Sequence, residues 1–127
     1  MQDEPTPGEI LAAVARFLKD EVAPGATGHT AFQARVAANA LEMMRRQLEL
    51  APGAEAAELA RLKDLLDLDG DLATLNAELA RRIGAGDLDL TKPGLADHLW
   101  AATFAKLAVD QPTYAAYRAS LAERTER

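Results

Sequence analysis

The chain has 127 residues, 49% apolar and 27% charged, which suits one domain with one core and is too apolar for disorder. Fourteen Lys and Arg face twenty Asp and Glu, and the net charge of −6 argues against a nucleic-acid partner. There is no cysteine, which excludes a disulfide framework and thiol chemistry.

The only compact basic pairs, Arg45-Arg46 and Arg81-Arg82, read as solvated helix faces. Abundant alanine and only 5% aromatic residues favour helices packed closely through small side chains. The start, "MQDEPTPGEI", has neither the basic nor the apolar region of a signal peptide. The most apolar stretch, "LWAATFAKLAV", is too short to span a bilayer and contains Lys106. The expectation is a cytoplasmic protein without a membrane or nucleic-acid partner.

In chain order, Thr6 and Glu9 have the spacing of a capping box, and Pro7 suits the first helical position. Ile10, Val14, Phe17, Leu18 and Val22 continue one stripe until Pro24 and Gly25 end the first helix. A second helix is predicted from a Thr30–Gln33 capping box to about Leu50, where "APG" at 51–53 breaks it. Phe32, Val36, Ala40, Met43 and Leu50 form one side of its buried face, and Ala37, Leu41, Met44 and Leu48 widen it. A shorter third helix carries Leu59, Leu62 and Leu66.

After the turn "DLDGDL", Asp69 or Asp71 caps a fourth helix with Leu72, Leu75, Leu79 and Ile83 on one face. Gly84 and Gly86 close it. Pro93 opens a fifth helix, which ends near Asp110, and Pro112 opens a sixth, with Tyr114, Tyr117 and Leu121 inward. No segment alternates long enough to be a strand. The expected fold is all-α, a single domain over residues 1–127 with frayed ends near 1–5 and 123–127. It is an antiparallel bundle of five or six helices with the second and fifth central.

Motifs that carry chemistry are scarce. Asp67, Asp69, Asp71 and Glu78 mimic calcium-loop spacing, but Gly70 falls at the fourth loop position and Leu72 occupies the sixth, where glycine is required. His29 and His98 are far apart and have no Cys or HExxH companion, so they are read as structural or exposed. No phosphate-cradling glycine loop and no nucleophile elbow is present. No catalytic residue, metal site or cofactor is assigned.

The binding candidates are therefore polar residues beside apolar faces: Arg35, Asn39, Lys106 and Asp110. Asn39 sits beside Phe32 and Met43 in projection, at a border position shared by Asn76 on the fourth helix, and is expected to be half-buried and hydrogen-bonded. Arg35, one turn before it, is expected to reach Glu42, an aspartate of the 87–89 loop, or Asp110. Glu42 and Arg46 are a favourable i,i+4 pair. The fifth helix is apolar nearly all round, with Lys106 among Leu95, Leu99 and Ala102. Lys106 must reach water, pair with a carboxylate such as Asp110, or serve a site.

The stretches "PTPGEILAAVARFL", "AFQARVAANAL", "LNAELARRIGAGDLD" and "FAKLAVDQPTY" resemble a family of small bacterial helical proteins of unknown function. The resemblance implies genes often placed beside an aminoglycoside-phosphotransferase-like kinase and an acyl-CoA dehydrogenase, and it offers no catalytic residue to carry over. The leading expectation is a non-enzymatic accessory protein that binds such a partner or forms a homodimer. The alternative is a module for a small ligand or acyl chain, with Arg35, Asn39 and Lys106 at the mouth of a cavity. An enzyme would need titratable groups converging in a cleft.

Overall fold

The structure, a computed structural model, describes residues 3–126. It is all-helical, with no strand among the described residues. The elements are α1 (Pro7–Phe17), a π-helical turn (Leu18–Val22), α2 (Ala23–Gly25), α3 (Gly28–Leu66), α4 (Leu72–Ala85), α5 (Leu95–Asp110) and α6 (Ala115–Thr125). They fall into two compact units, Met1–Leu50 and Ala51–Arg127. Among the described residues no helix is long and apolar enough to cross a membrane.

In the first unit, the Thr6 hydroxyl accepts from the Glu9 amide at 3.2 Å, and the Glu9 carboxylate accepts from the Thr6 amide at 2.7 Å. With Pro7 at the first position, this starts α1 as its sequence dictates. The π-helical turn ends two residues before Pro24. A proline ring collides with the carbonyl four residues back in an α-helix, and the wider turn relieves that collision.

The start of α1 lies beside residues 45–49, since a Cβ at Gly8 would meet the Glu49 carboxylate at 3.4 Å and the Arg45 chain at 3.9 Å. After the short link at 26–27, α3 therefore returns antiparallel to α1 as a helical hairpin. Small residues fill the hairpin: Ala15, Ala23, Ala31, Ala34 and Ala38 are all buried.

Two expectations fail here. The stripe Phe32, Val36, Met43 and Leu50, predicted to be buried, is exposed. Alanine at every third or fourth position lets two helix backbones approach closely, so the larger apolar side chains are left outside the contact. The predicted Thr30–Gln33 box does not form either: the helix begins at Gly28, and Gln33 bonds the His29 ring at 3.3 Å.

The "APG" break is also absent. The chain is helical without interruption from Gly28 to Leu66, with Pro52 inside. The boundary between the two compact units falls at Leu50 and Ala51, next to that proline. Pro52 has no amide to give the Leu48 carbonyl, so the helix persists there with a missing bond.

The second unit is built on leucine. Leu62, Leu66, Leu75, Leu79 and Leu95 form its buried cluster, and Leu59, Leu65, Leu72 and Leu88 pack around it. These leucines bring the last turns of α3, the length of α4 and the start of α5 together. The links between the helices are well tied. Asp67, at φ 52°, ends α3, and the Leu68 amide reaches back to the Lys63 carbonyl.

Asp71 caps α4 by accepting from the Thr74 amide at 2.7 Å. Gly86, at φ 79°, ends α4, and the Gly86 and Asp87 amides bond the Ile83 and Arg82 carbonyls, a Schellman pattern. Asn76 donates to Glu58 at 2.9 Å, joining α4 to α3 as its border position implies. Pro93 and Pro112 do not open the last two helices, which begin at Leu95 and Ala115.

Two outcomes follow. Leu62 is fully buried, so Leu62→Ala should cost about 2–5 kcal/mol in chemical denaturation. A proline inside a helix is about 3 kcal/mol worse than alanine, so Pro52→Ala at this exposed position should raise the midpoint of a circular-dichroism melt.

Candidate functional site: a cleft at the start of α5

The residues singled out in the sequence lie on open surface. Arg35 and Asn39 belong to the first unit and both are exposed, with no hydrogen bond or ion pair of either side chain among the described residues. Asn39 was expected to be half-buried. It is not, because the hairpin contact runs along Ala31, Ala34 and Ala38 and leaves its arc outside. Glu42, one of the partners expected for Arg35, accepts from Arg45 at 3.0 Å, and Arg45 also holds Glu49 at 2.8 Å.

Lys106 and Asp110 belong to the second unit and are exposed. Lys106 thus reaches water, the first of the three resolutions. The aspartates of the 67–71 turn have local duties: Asp71 caps α4, and Asp69 pairs with Lys63 at 2.7 Å. Glu78 holds both Arg81 and Arg82, whose hydrogen bonds keep its carboxyl at about 2. Among the described residues, no group of three or more His, Cys, Asp or Glu is arranged for a metal ion.

Polar groups converge elsewhere. A cleft of about 310 Å³ is lined by Arg61, Asp64 and Leu65 of α3, by Lys92, Pro93 and Gly94 of the connecting loop, and by Asp97 and His98 of α5. Leucine packing sets it. Leu62 and Leu95 are both sealed in the core, and Arg61 and His98 follow from their positions beside them in the two helices. The loop is ordered by Asp89, whose carboxylate accepts from the Thr91 amide at 2.8 Å and from its hydroxyl at 2.5 Å. The Lys92 amide then bonds the Asp89 carbonyl at 3.0 Å, and the Leu95 amide bonds the Lys92 carbonyl at 3.2 Å.

Gly94 is the N-cap of α5, at φ 87°, a left-handed conformation that a side chain rarely adopts. It has no side chain to cap the helix.

Among the described residues His98 is the one buried polar residue, 2% exposed, and its Nδ1 has no partner there. The Nε of Arg61 is likewise buried without a partner. A buried polar atom left unpaired costs about 1–3 kcal/mol, so two such atoms beside one cleft call for a physical reason. The imidazole is held below its ordinary 6.5, first by burial and then by the charge of Arg61, with Glu58 pulling the other way.

Sequence reasoning passed over this group. His98 stands three residues after Leu95, on the same helix face, which was a signal of burial that the apolar circumference of α5 obscured.

The other face of α5 carries aromatic rings. Trp100 stacks on Phe104 at 5.7 Å and 26°, and Phe104 packs on Tyr117 of α6 at 5.6 Å. The Arg124 guanidinium lies 5.0 Å from the Phe104 centroid. Phe104 is half-buried, and Trp100 is 59% exposed, so α5 is not the sealed central helix that its composition suggested. Trp100 separates two open clefts. One, of about 350 Å³, is lined by Asp97, Phe104, Ser120, Glu123 and Arg124; the other, of about 290 Å³, by Leu90, Ala96, Leu99 and Thr103.

The chain belongs to the family defined by DUF6285, a domain of unknown function, whose model matches residues 24–114. The span takes in Arg61, Lys92, His98, Trp100 and Phe104, and ends before α6. No curated protein and no solved structure matches the chain.

The neutral His98 has a consequence for stability. Its folded value lies below the ordinary 6.5, so as the pH falls the unfolded chain takes up the proton first. The stability is complete above that value and is lost as the pH drops from it toward the folded value. Melting temperature should therefore fall as the pH drops below 6.5, more steeply for the native chain than for His98→Gln, which has no proton to gain there.

Proposed function

We propose that this member of the family is a non-enzymatic accessory protein that docks onto a partner through the aromatic face of α5. The observation that carries the reading is Trp100, an indole left 59% exposed while its neighbours hold it in place. Tryptophan is the side chain most often found as the anchor of a protein interface, and an anchor that is already ordered loses little entropy on binding. Leu90, 73% exposed, and Leu99, 39% exposed, extend the apolar surface beside it. Arg124 and Glu123 supply polar groups on its other side. An apolar centre with a polar edge is the usual anatomy of a transient interface.

The family resemblance suggests what the partner is: a kinase-like or acyl-CoA dehydrogenase-like enzyme. A second copy of this chain is the other occupant the surface would suit.

The test is direct. The purified chain is titrated into each purified enzyme by calorimetry, and its self-association is followed by sedimentation. Trp100→Ala should keep the fold to within about 1 kcal/mol, because the ring is mostly in water. It should weaken the complex by about 2 kcal/mol or more, roughly 30-fold. Equal affinity of the variant and the native chain would remove the α5 face from the interface. Self-association lost with Trp100 would identify the second copy as the partner.

A further inference from the structure

We propose that the cleft at the start of α5 binds the carboxylate group of a small organic acid. The inference goes beyond the docking reading, because the exposed indole is not part of the lining of this cleft. The two buried atoms left unpaired beside the cleft can both donate, Nδ1 of His98 in the tautomer that carries its proton there. Arg61 has a buried Nε–H with no acceptor, and His98, 98% buried, has an unpartnered Nδ1.

The helix adds one more donor. α5 has sixteen residues and no side-chain cap, and the amide of Asp97, which lines the cleft, has no acceptor among the described residues. Such an end carries partial positive charge and open N–H groups. Lys92 is held at the same cleft by the Asp89 turn.

An oxyanion only accepts, so one such group answers donors from α3, the loop and α5 together. Charge decides which oxyanion. Arg61 and Lys92 are balanced in formal charge by Asp64 and Asp97 at the cleft, and His98 is neutral. A dianion such as phosphate would meet uncompensated repulsion, whereas a carboxylate brings one charge, which the helix end and the guanidinium can match. The cleft, about 310 Å³, has the size of a small-molecule site.

The probe is acetate, titrated into the whole chain at constant ionic strength with chloride as the balancing anion. Nuclear magnetic resonance follows the His98 ring nitrogens and the Asp97 amide. Both should shift along one saturable curve. Arg61→Gln should weaken binding about tenfold or more, the scale of one charge-assisted hydrogen bond. Lys92→Gln, on an exposed loop, should weaken it less, and it keeps the test open if Arg61→Gln fails to fold. Lys106→Gln, on the same helix but away from the cleft, should leave the curve unchanged.

Three results would overturn the proposal: no saturable shift at His98, equal affinity in Lys92→Gln and the native chain, or tighter binding of inorganic phosphate than of acetate. Loss of partner docking in Trp100→Ala with acetate binding intact would show the two surfaces to be independent.

Discussion

The leucine cluster of the second unit is the constraint on which its other features depend. Leu62 and Leu66 come from the end of α3, Leu75 and Leu79 from α4, and Leu95 from the first position of α5. Burying one leucine stabilises by about 1.5–3 kcal/mol, so five at one contact dominate the local energetics. Leu95 is the consequential member. Because it is sealed at the first helical position, α5 has to begin against α3. That forces the preceding loop into a tight turn, with Gly94 in the left-handed conformation and the Asp89 carboxylate bracing Thr91.

The candidate site is a by-product of that packing. Arg61 precedes Leu62, and His98 lies one turn after Leu95, so whatever buries the leucines also draws these two polar groups partly out of water. Burial first, and then the charge of Arg61, lowers the affinity of the ring for a proton. By contrast, the conspicuous charged groups of the sequence are satisfied locally. Glu78 with Arg81 and Arg82, Arg45 with Glu42 and Glu49, and Asp69 with Lys63 all lie partly or fully in solvent, where such pairs add about 1 kcal/mol at most.

The first unit follows a different rule. Its contact is made of alanine, which supplies little transfer energy for each residue but permits close helix approach. Ile10, Val14 and Phe17 on α1, with Phe32, Val36 and Met43 on α3, are left facing outward. Exposed apolar residues recurring at helical spacing are the pattern of a surface that another helix can cover. The hairpin alone does not use them.

Much of the local structure was legible in the sequence because its causes are local. The Thr6–Glu9 box, an aspartate cap at 69 or 71, the Gly84–Gly86 stop and the leucine spacing of α4 each rest on side chains within a few residues of one another, and the structure has each of them, with Asp71 as the cap and Gly86 as the stop. That Asn76 bonds across a helix contact followed from its border position, while its partner, Glu58, came from the packing. What the sequence could not determine is which apolar face meets which neighbour. On α3, the periodicity allowed two stripes, one of large residues and one of alanines. The smaller side chains were chosen because only they let α1 come close, and this choice put Asn39 and Arg35 in water. On α5, apolar residues all round gave no preferred face, so the burial of His98 and the exposure of Trp100 could not be read from spacing. Only the packing of Leu95 against α3 and of Phe104 against Tyr117 decided them. The same packing brought residues 61, 92 and 98 to one cleft, because that meeting depends on contacts between segments that the chain itself leaves far apart.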